Sequence, residues 1–205
     1  MLNDIRKRFF NSQPSSDPVM QVMDRLPEEI VENYLKKTQL KHAAVLIGLM
    51  DDPKNGLSLL LTRRTTNLKH HAGEISLPGG SFEKDQDTNI QSTALREAKE
   101  EIGLGAEQAE ILGFLEPQIS LGTGFIVTPI IAHVVSSFVP QIDTNEVEEL
   151  FSVPLSFFTN NTNLNHEHRI FDQIKWSVYS YHYEDYLIWG LTAQIIRKFC
   201  NKIIQ

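Results

Sequence analysis

Arg96-Glu97-Ala98-Lys99-Glu100-Glu101-Ile102-Gly103-Leu104 sets three carboxylates within little more than one helical turn and follows them with a glycine. At about 100° per residue, Ala98 and Ile102 fall near the Leu95 face, while Glu97, Glu100 and Glu101 fan out on the other side. The apolar face suits packing on a sheet, and the acidic face is expected to look outward. Like charges spaced three and four residues apart repel one another, so a cation belongs beside them. Carboxylate oxygens are hard ligands, which favours Mg²⁺ or Mn²⁺ over softer metals. Three glutamates alone describe a solvated acidic face better than a metal site. The residues upstream decide between the two.

Upstream run Leu77-Pro78-Gly79-Gly80, the acidic loop Ser81-Phe82-Glu83-Lys84-Asp85-Gln86-Asp87, and then the helix, expected from about Asn89 to Ile102 with Gly103 ending it. Paired glycines let the backbone approach a ligand closely and free a carbonyl as a further oxygen donor. Strand, glycine loop and carboxylate helix together resemble the Nudix box, the hallmark of hydrolases that split diphosphates linked to another moiety. That pattern is a glycine, five residues, a glutamate, seven residues, then Arg-Glu-apolar-x-Glu-Glu-x-Gly-apolar. Arg96 to Leu104 match its second half in full, whereas six residues separate Gly80 from Asp87 and eight separate Asp87 from Arg96. The upstream acid is therefore Asp87, Asp85 or Glu83.

A second motif precedes the box. Leu60-Leu61-Thr62-Arg63-Arg64-Thr65, then Lys69, Gly73 and Leu77-Pro78-Gly79-Gly80, are similar to the signature of the coenzyme A pyrophosphatase branch. That signature reads Leu-Leu-Thr-x-Arg-Ser, three residues, Arg, three residues, Gly, three residues, Phe-Pro-Gly-Gly. Lys69 replaces an arginine, and an ammonium cannot make the bidentate phosphate contact of a guanidinium. Coenzyme A carries a diphosphate and a separate 3′-phosphate, so it calls for cations beyond those at the reacting centre. Ser120 to Pro129, Glu146-Val147 with Val153 to Phe157, and Ile188 to Ala193 resemble segments of the same branch, extending the likeness over roughly residues 40 to 199.

The resemblance implies an α+β fold, an α/β/α sandwich around a mixed sheet. It implies Glu97, Glu100, Glu101 and the Gly80 carbonyl as metal ligands for Mg²⁺ or Mn²⁺, with Glu97 or a metal-bound hydroxide removing a proton. Arg96 would orient the carboxylates, and Arg64, Lys69, Gly73, Gly79 and Gly80 would meet the substrate, with His70 or His71 as further cations. The implied reaction is metal-dependent hydrolysis of coenzyme A or a derivative to 3′,5′-ADP and 4′-phosphopantetheine. Two alternatives stand beside it: hydrolysis of another nucleoside diphosphate such as ADP-ribose, and a non-catalytic binding module of the same fold.

The remaining residues bound these readings. A net charge of -7 over 205 residues argues against a broad basic surface for nucleic acid, and no apolar run reaches the length of a membrane helix. The single cysteine, Cys200, excludes an internal disulfide, and the expectation is a soluble cytoplasmic protein, with a homodimer as one possibility. Residues 1–38 read as a helical extension and linker, with a short helix at Asp4 to Asn11, a mobile Ser12 to Pro18 and a helix from Pro27 to Lys37. Residues 39–205 read as the catalytic domain. Strands are expected at His42 to Met50 and Leu57 to Arg63, forming a hairpin, and at Glu74 to Leu77, Ala109 to Leu115, Ile126 to Val135 and Ile174 to Tyr183. The final helix is expected at Leu191 to Ile203, with Leu191, Ile195 and Phe199 inward. Trp176, Trp189 and the tyrosines at 179, 181, 183 and 186 fit sheet packing better than base stacking. Cys200 fits a packed helix, and Glu146 and Glu149 fit a solvated acidic loop better than a catalytic base.

Overall fold

The computed structural model describes residues 1–33, 35, 39–68, 71–171 and 174–204. β1 (Lys41–Asp52) carries an unbroken non-polar run from Ala43 to Met50, and because successive side chains point to opposite faces, both faces must be covered. Ala44 and Leu46 join Leu60, Ile130 and Ala132 on one face, under Ala94, Ala98 and Ile102 of α4 (Ile90–Ile102). Ala43, Ile47 and Leu49 join Leu59, Leu61 and Ile131 on the other, under Ile195, Ile196 and Phe199 of the last helix, α6 (Gly190–Ile204). The result is an α/β/α sandwich of the α+β class.

The large sheet runs β3-β2-β1-β7-β5, from β2 (Gly56–Arg64), β3 (Ile75–Ser76), β5 (Ala109–Phe114) and β7 (Phe125–Val134). β4 (Gly79–Ser81) pairs with β1, β6 (Gln118–Ser120) with β7, and β8 (Val147–Pro154) with β2. β1 and β2 form the expected hairpin, while β1 and β7 are parallel, as a crossover through α4 permits. A second antiparallel sheet holds β9 (Leu164–Phe171), β10 (Ile174–Tyr183) and β11 (Tyr186–Trp189). α5 (Leu155–Thr159) packs its Leu155 and Phe158 into the core with α6.

The N-terminal residues are tied to this body. α1 (Leu2–Phe9) buries Ile5 and Phe9 in the core beneath α6, with the Phe9 and Phe199 rings 6.0 Å apart. The stretch expected to be a mobile linker is instead anchored at both ends. Ser12 Oγ accepts from the Phe114 N–H at 2.8 Å, and Asp17 caps α2 (Pro18–Met23) by accepting from Met20 N–H at 2.9 Å. The helix expected from Pro27 is α3 (Glu28–Asn33), and Lys36 and Lys37 lie outside the described residues. No helix among the described residues is long and apolar enough to cross a membrane.

Candidate active site

Helix α4 starts and stops where its side chains dictate. Asn89 Oδ1 accepts from Ser92 N–H at 2.9 Å while Ser92 Oγ accepts from Asn89 N–H at 3.1 Å, a reciprocal cap. Gly103 closes the other end in the left-handed conformation, φ 75°. Between them the helix lies against β4, so its acidic side does not face solvent as a whole, contrary to the outward-looking face read from periodicity. Glu100 is exposed, Glu97 is half-buried, and Glu101 is 2% exposed.

Two glycines make that approach possible. A Cβ on Gly80 would stand 2.4 Å from the Glu97 carboxylate, so the carboxylate occupies space that any other residue would fill. Gly79 adopts φ 154°, and a Cβ there would meet the Ala44 carbonyl at 2.2 Å; its N–H donates to Glu101 Oε2 at 3.2 Å.

Arg96 gathers the remaining acids. Its Nε and Nη2 donate to Asp87 Oδ1 and Oδ2 at 2.9 and 3.0 Å, its Nη2 also to the Ser81 carbonyl at 2.9 Å, and its Nη1 meets Glu97 and Glu100, each at 2.9 Å. Of the three acids left open upstream, Asp87 is thus the one bound to Arg96. It is buried, and Thr93 Oγ1 donates to it as well, at 3.0 Å. The guanidinium holds the Asp87 carboxyl below the usual carboxylate range, and the guanidinium itself is held charged by this bond.

Burial dominates the other two acids. It pushes Glu101 up to about 8, with the charges of Glu97 and Glu146 adding and the Gly79 N–H and Arg64 opposing. It also raises Glu97, against the pull of Arg96 and with help from Glu100 and Glu146. Glu146, weighed in the sequence as a solvated loop residue, therefore stands in the field of both. Its sequence signal was only the local likeness at Glu146-Val147. Glu149 lies instead in β8, 3.2 Å from Arg63 Nη2 and accepting from Tyr186 Oη at 2.8 Å.

The basic segment arrives at the same place. The ladder between β2 and β8 slips between Arg63 and Arg64, so the two arginines serve different neighbours. Arg64 Nη1 stands 3.7 Å from Glu101 Oε1, and its Nε is buried with no hydrogen-bond partner among the described residues. Gly73, at φ 72°, closes the intervening loop by donating to the Arg64 carbonyl at 3.1 Å. His71 Nδ1 pairs with Glu74 at 2.9 Å. Lys69 and His70 lie outside the described residues.

Residues 40–173 match the family model described as the NUDIX domain. The chain belongs to the Nudix family. It is similar to the Nudix hydrolase NudL of Photorhabdus laumondii, 37% identical over 171 residues that cover 80% of this chain and 85% of that one. Nudix hydrolase 15, mitochondrial, of Arabidopsis thaliana is 38% identical over 161 residues, 76% of this chain and 56% of the relative. A solved MutT/nudix family protein from Enterococcus faecalis shares the fold at TM-score 0.53 and 16% identity, over 94% of this chain and 76% of that one. This Nudix protein is accordingly a hydrolase acting on pyrophosphate bonds, in a family that generally uses divalent metal ions.

Among the described residues no three His, Cys, Asp or Glu side chains converge as a formed metal cluster, and Glu97, Glu100 and Glu101 are each engaged by an arginine. The donor set nevertheless fits a hard cation. Glu97 and Glu101 flank the Gly79–Gly80 backbone, and the space a Gly80 Cβ would need is kept for carboxylate oxygen.

Proposed function

We propose that this Nudix protein hydrolyses the diphosphate of coenzyme A or a derivative, giving 3′,5′-ADP and 4′-phosphopantetheine. The observation that carries the reading is the meeting of two motifs. Arg64, from the segment similar to the coenzyme A branch, stands beside Glu101 of the carboxylate helix and keeps a buried guanidinium N–H without an acceptor among the described residues. A substrate with phosphates on both sides of the scissile bond supplies acceptors to such an N–H.

Glu97, Glu100, Glu101 and the Gly80 carbonyl are the residues that would hold Mg²⁺ or Mn²⁺. Bound there, a divalent ion polarises the phosphoryl oxygens and lowers the pKa of water. Arg96, with its donors engaged by Asp87, Ser81, Glu97 and Glu100, positions carboxylates and leaves substrate to Arg64 and Lys69. Glu97 lies where a proton acceptor is needed, half-buried and next to the glycine backbone. Gly73 shapes the loop that returns the chain from Arg64 to the glycines.

The test is turnover on a panel of coenzyme A, acetyl-coenzyme A, ADP-ribose and diadenosine diphosphate, with Mg²⁺ and with Mn²⁺. Highest kcat/KM on the coenzyme A compounds, falling by about a hundredfold or more in Glu101→Gln, is the expected result. Preference for ADP-ribose would reject the substrate, and cleavage of nothing would reject the catalytic reading.

A further inference from the structure

The chain between β7 and β8 is anchored on the end of the carboxylate helix. Gln141 N–H donates to the Ile102 carbonyl at 2.9 Å and Asp143 N–H to the Glu101 carbonyl at 3.0 Å, so this segment takes up carbonyls that a helix end leaves open. Gly103 admits it, since a Cβ there would stand 2.7 Å from Gln141 Cβ and 3.1 Å from its backbone nitrogen and oxygen. Glu101 is thus held at both its polar groups, the carboxylate by Gly79 N–H and the carbonyl by Asp143 N–H.

Asp143 then turns the chain. Its Oδ1 accepts from Asn145 N–H at 2.9 Å and from Asn145 Nδ2 at 2.8 Å, and its carbonyl accepts from the N–H groups of Glu146 and Val147 at 3.1 and 2.9 Å. An aspartate whose side chain holds the N–H two residues on fixes such a reversal. Beyond the turn, the Glu146 carbonyl accepts from Thr65 N–H at 3.0 Å and Val147 pairs with Arg64. Both contacts lie past the slip in the ladder between β2 and β8, where regular pairing no longer places Arg64.

A closed circuit results. It runs from the Glu101 carbonyl through Asp143, Glu146 and Thr65 to Arg64, and returns to Glu101 Oε1 across 3.7 Å. That gap is longer than a hydrogen bond, so the ion pair alone does not orient the guanidinium. On the side of β3, the Arg64 backbone is held by Gly73 N–H at 3.1 Å and by the Glu74 carbonyl at 3.0 Å; on the side of β8, it is held by the Asp143 turn.

We propose that Asp143 is a positioning residue for substrate phosphate, its turn holding Arg64 against the carboxylate helix with the free Nε–H in place. Asp143 is exposed and its side chain engages Asn145, so its effect passes through Arg64. It depends on the phosphate-binding role proposed above for Arg64, whichever diphosphate carries the phosphate.

Hydrogen exchange reads the circuit without any ligand. In Asp143→Ala the Thr65 amide should exchange about tenfold faster, while amides pairing β1 with β7 keep their protection. Calorimetric binding of inorganic pyrophosphate with Mg²⁺ reads Arg64. Asp143→Ala should weaken it about fivefold, and Asp143→Asn, which keeps the Oδ1 acceptor, should restore it to within about twofold of wild type. In an Arg64→Ala background, Asp143→Ala should add nothing further. A loss that adds in full to that of Arg64→Ala, or that Asp143→Asn does not restore, would overturn the positioning role; so would an unchanged Thr65 amide or a wild type without pyrophosphate affinity. Intact coenzyme A beside the expected pattern would reject the substrate and leave Asp143 in its role, whereas coenzyme A cleavage without that pattern would do the reverse.

Discussion

The Asp87 carboxylate grips the Arg96 guanidinium at two atoms, Oδ1 at 2.9 Å from Nε and Oδ2 at 3.0 Å from Nη2. The contact ties the loop after β4 to the middle of α4, and so fixes where the glycine backbone lies relative to Glu97 and Glu101. Removing one partner of a buried ion pair typically costs about 3–5 kcal/mol, because the other charge is left uncompensated. Asp87→Asn should therefore lower the unfolding free energy by about 3 kcal/mol in urea titrations, whereas the exposed Asp85→Asn should stay within about 0.5 kcal/mol of wild type. Equal effects would remove Asp87 from its supporting role.

The same pair sets an acid limit. Arg96 holds the Asp87 carboxyl below its ordinary value of 3.8 in the folded protein. The unfolded chain thus takes up its proton first, and stability from this group is present above about 3.8 and lost as pH falls through the depressed folded value. The difference in Tm between wild type and Asp87→Asn should be constant from pH 7 to pH 5 and shrink below pH 4. A difference that grows on acidification would contradict the ion pair.

The two glycines should respond differently to alanine. At Gly80 the added methyl meets the far end of the Glu97 side chain, which can move away; at Gly79 it meets the Ala44 carbonyl and Val45 backbone at a φ that alanine avoids. Gly80→Ala should keep a Tm within about 4 °C of wild type, a shift corresponding to about 1 kcal/mol, while losing at least about tenfold in turnover through displacement of Glu97. Gly79→Ala should lose stability as well, by about 2 kcal/mol or more. Thermal melts alongside turnover assays separate the two.

Much of this was readable in the sequence, and the exceptions share a cause. Asn89, Ser92 and Gly103 bound α4 through contacts within a few residues, so periodicity and capping located the helix to within a residue. Glu101 was read as outward-facing because its burial depends on the Gly79 N–H, 22 positions away along the chain. Asp87 could not be separated from Asp85 and Glu83 by spacing that is one residue longer than the family pattern on each side. β8 was passed over because Glu146-Val147-Glu148-Glu149 reads as an acidic loop; its pairing with β2 and the Arg63 and Tyr186 contacts of Glu149 make it a strand. The motif at Leu60 to Gly80 singled out Arg64 rather than Arg63, but the bulge that separates the two is a property of pairing with β8 and has no local mark.

Cys200 offers a check on the core. It is buried in α6, and burial pushes its thiol up to about 12. The unfolded chain ionises its thiol at the ordinary value of 9.0, so this group favours the folded state fully below that pH and less as pH rises toward 12. The thiol should react with Ellman's reagent in the native protein at least about a hundredfold more slowly than in denaturant. Rapid native labelling would mean that α6 is not seated on the sheet as described.

The central claim is most directly tested by mass identification of what wild-type protein makes from coenzyme A with Mg²⁺ or Mn²⁺. Equal amounts of 3′,5′-ADP and 4′-phosphopantetheine, absent with chelator and nearly absent in Glu101→Gln, are the predicted result. Intact coenzyme A under every metal condition, beside ready cleavage of ADP-ribose, would contradict it.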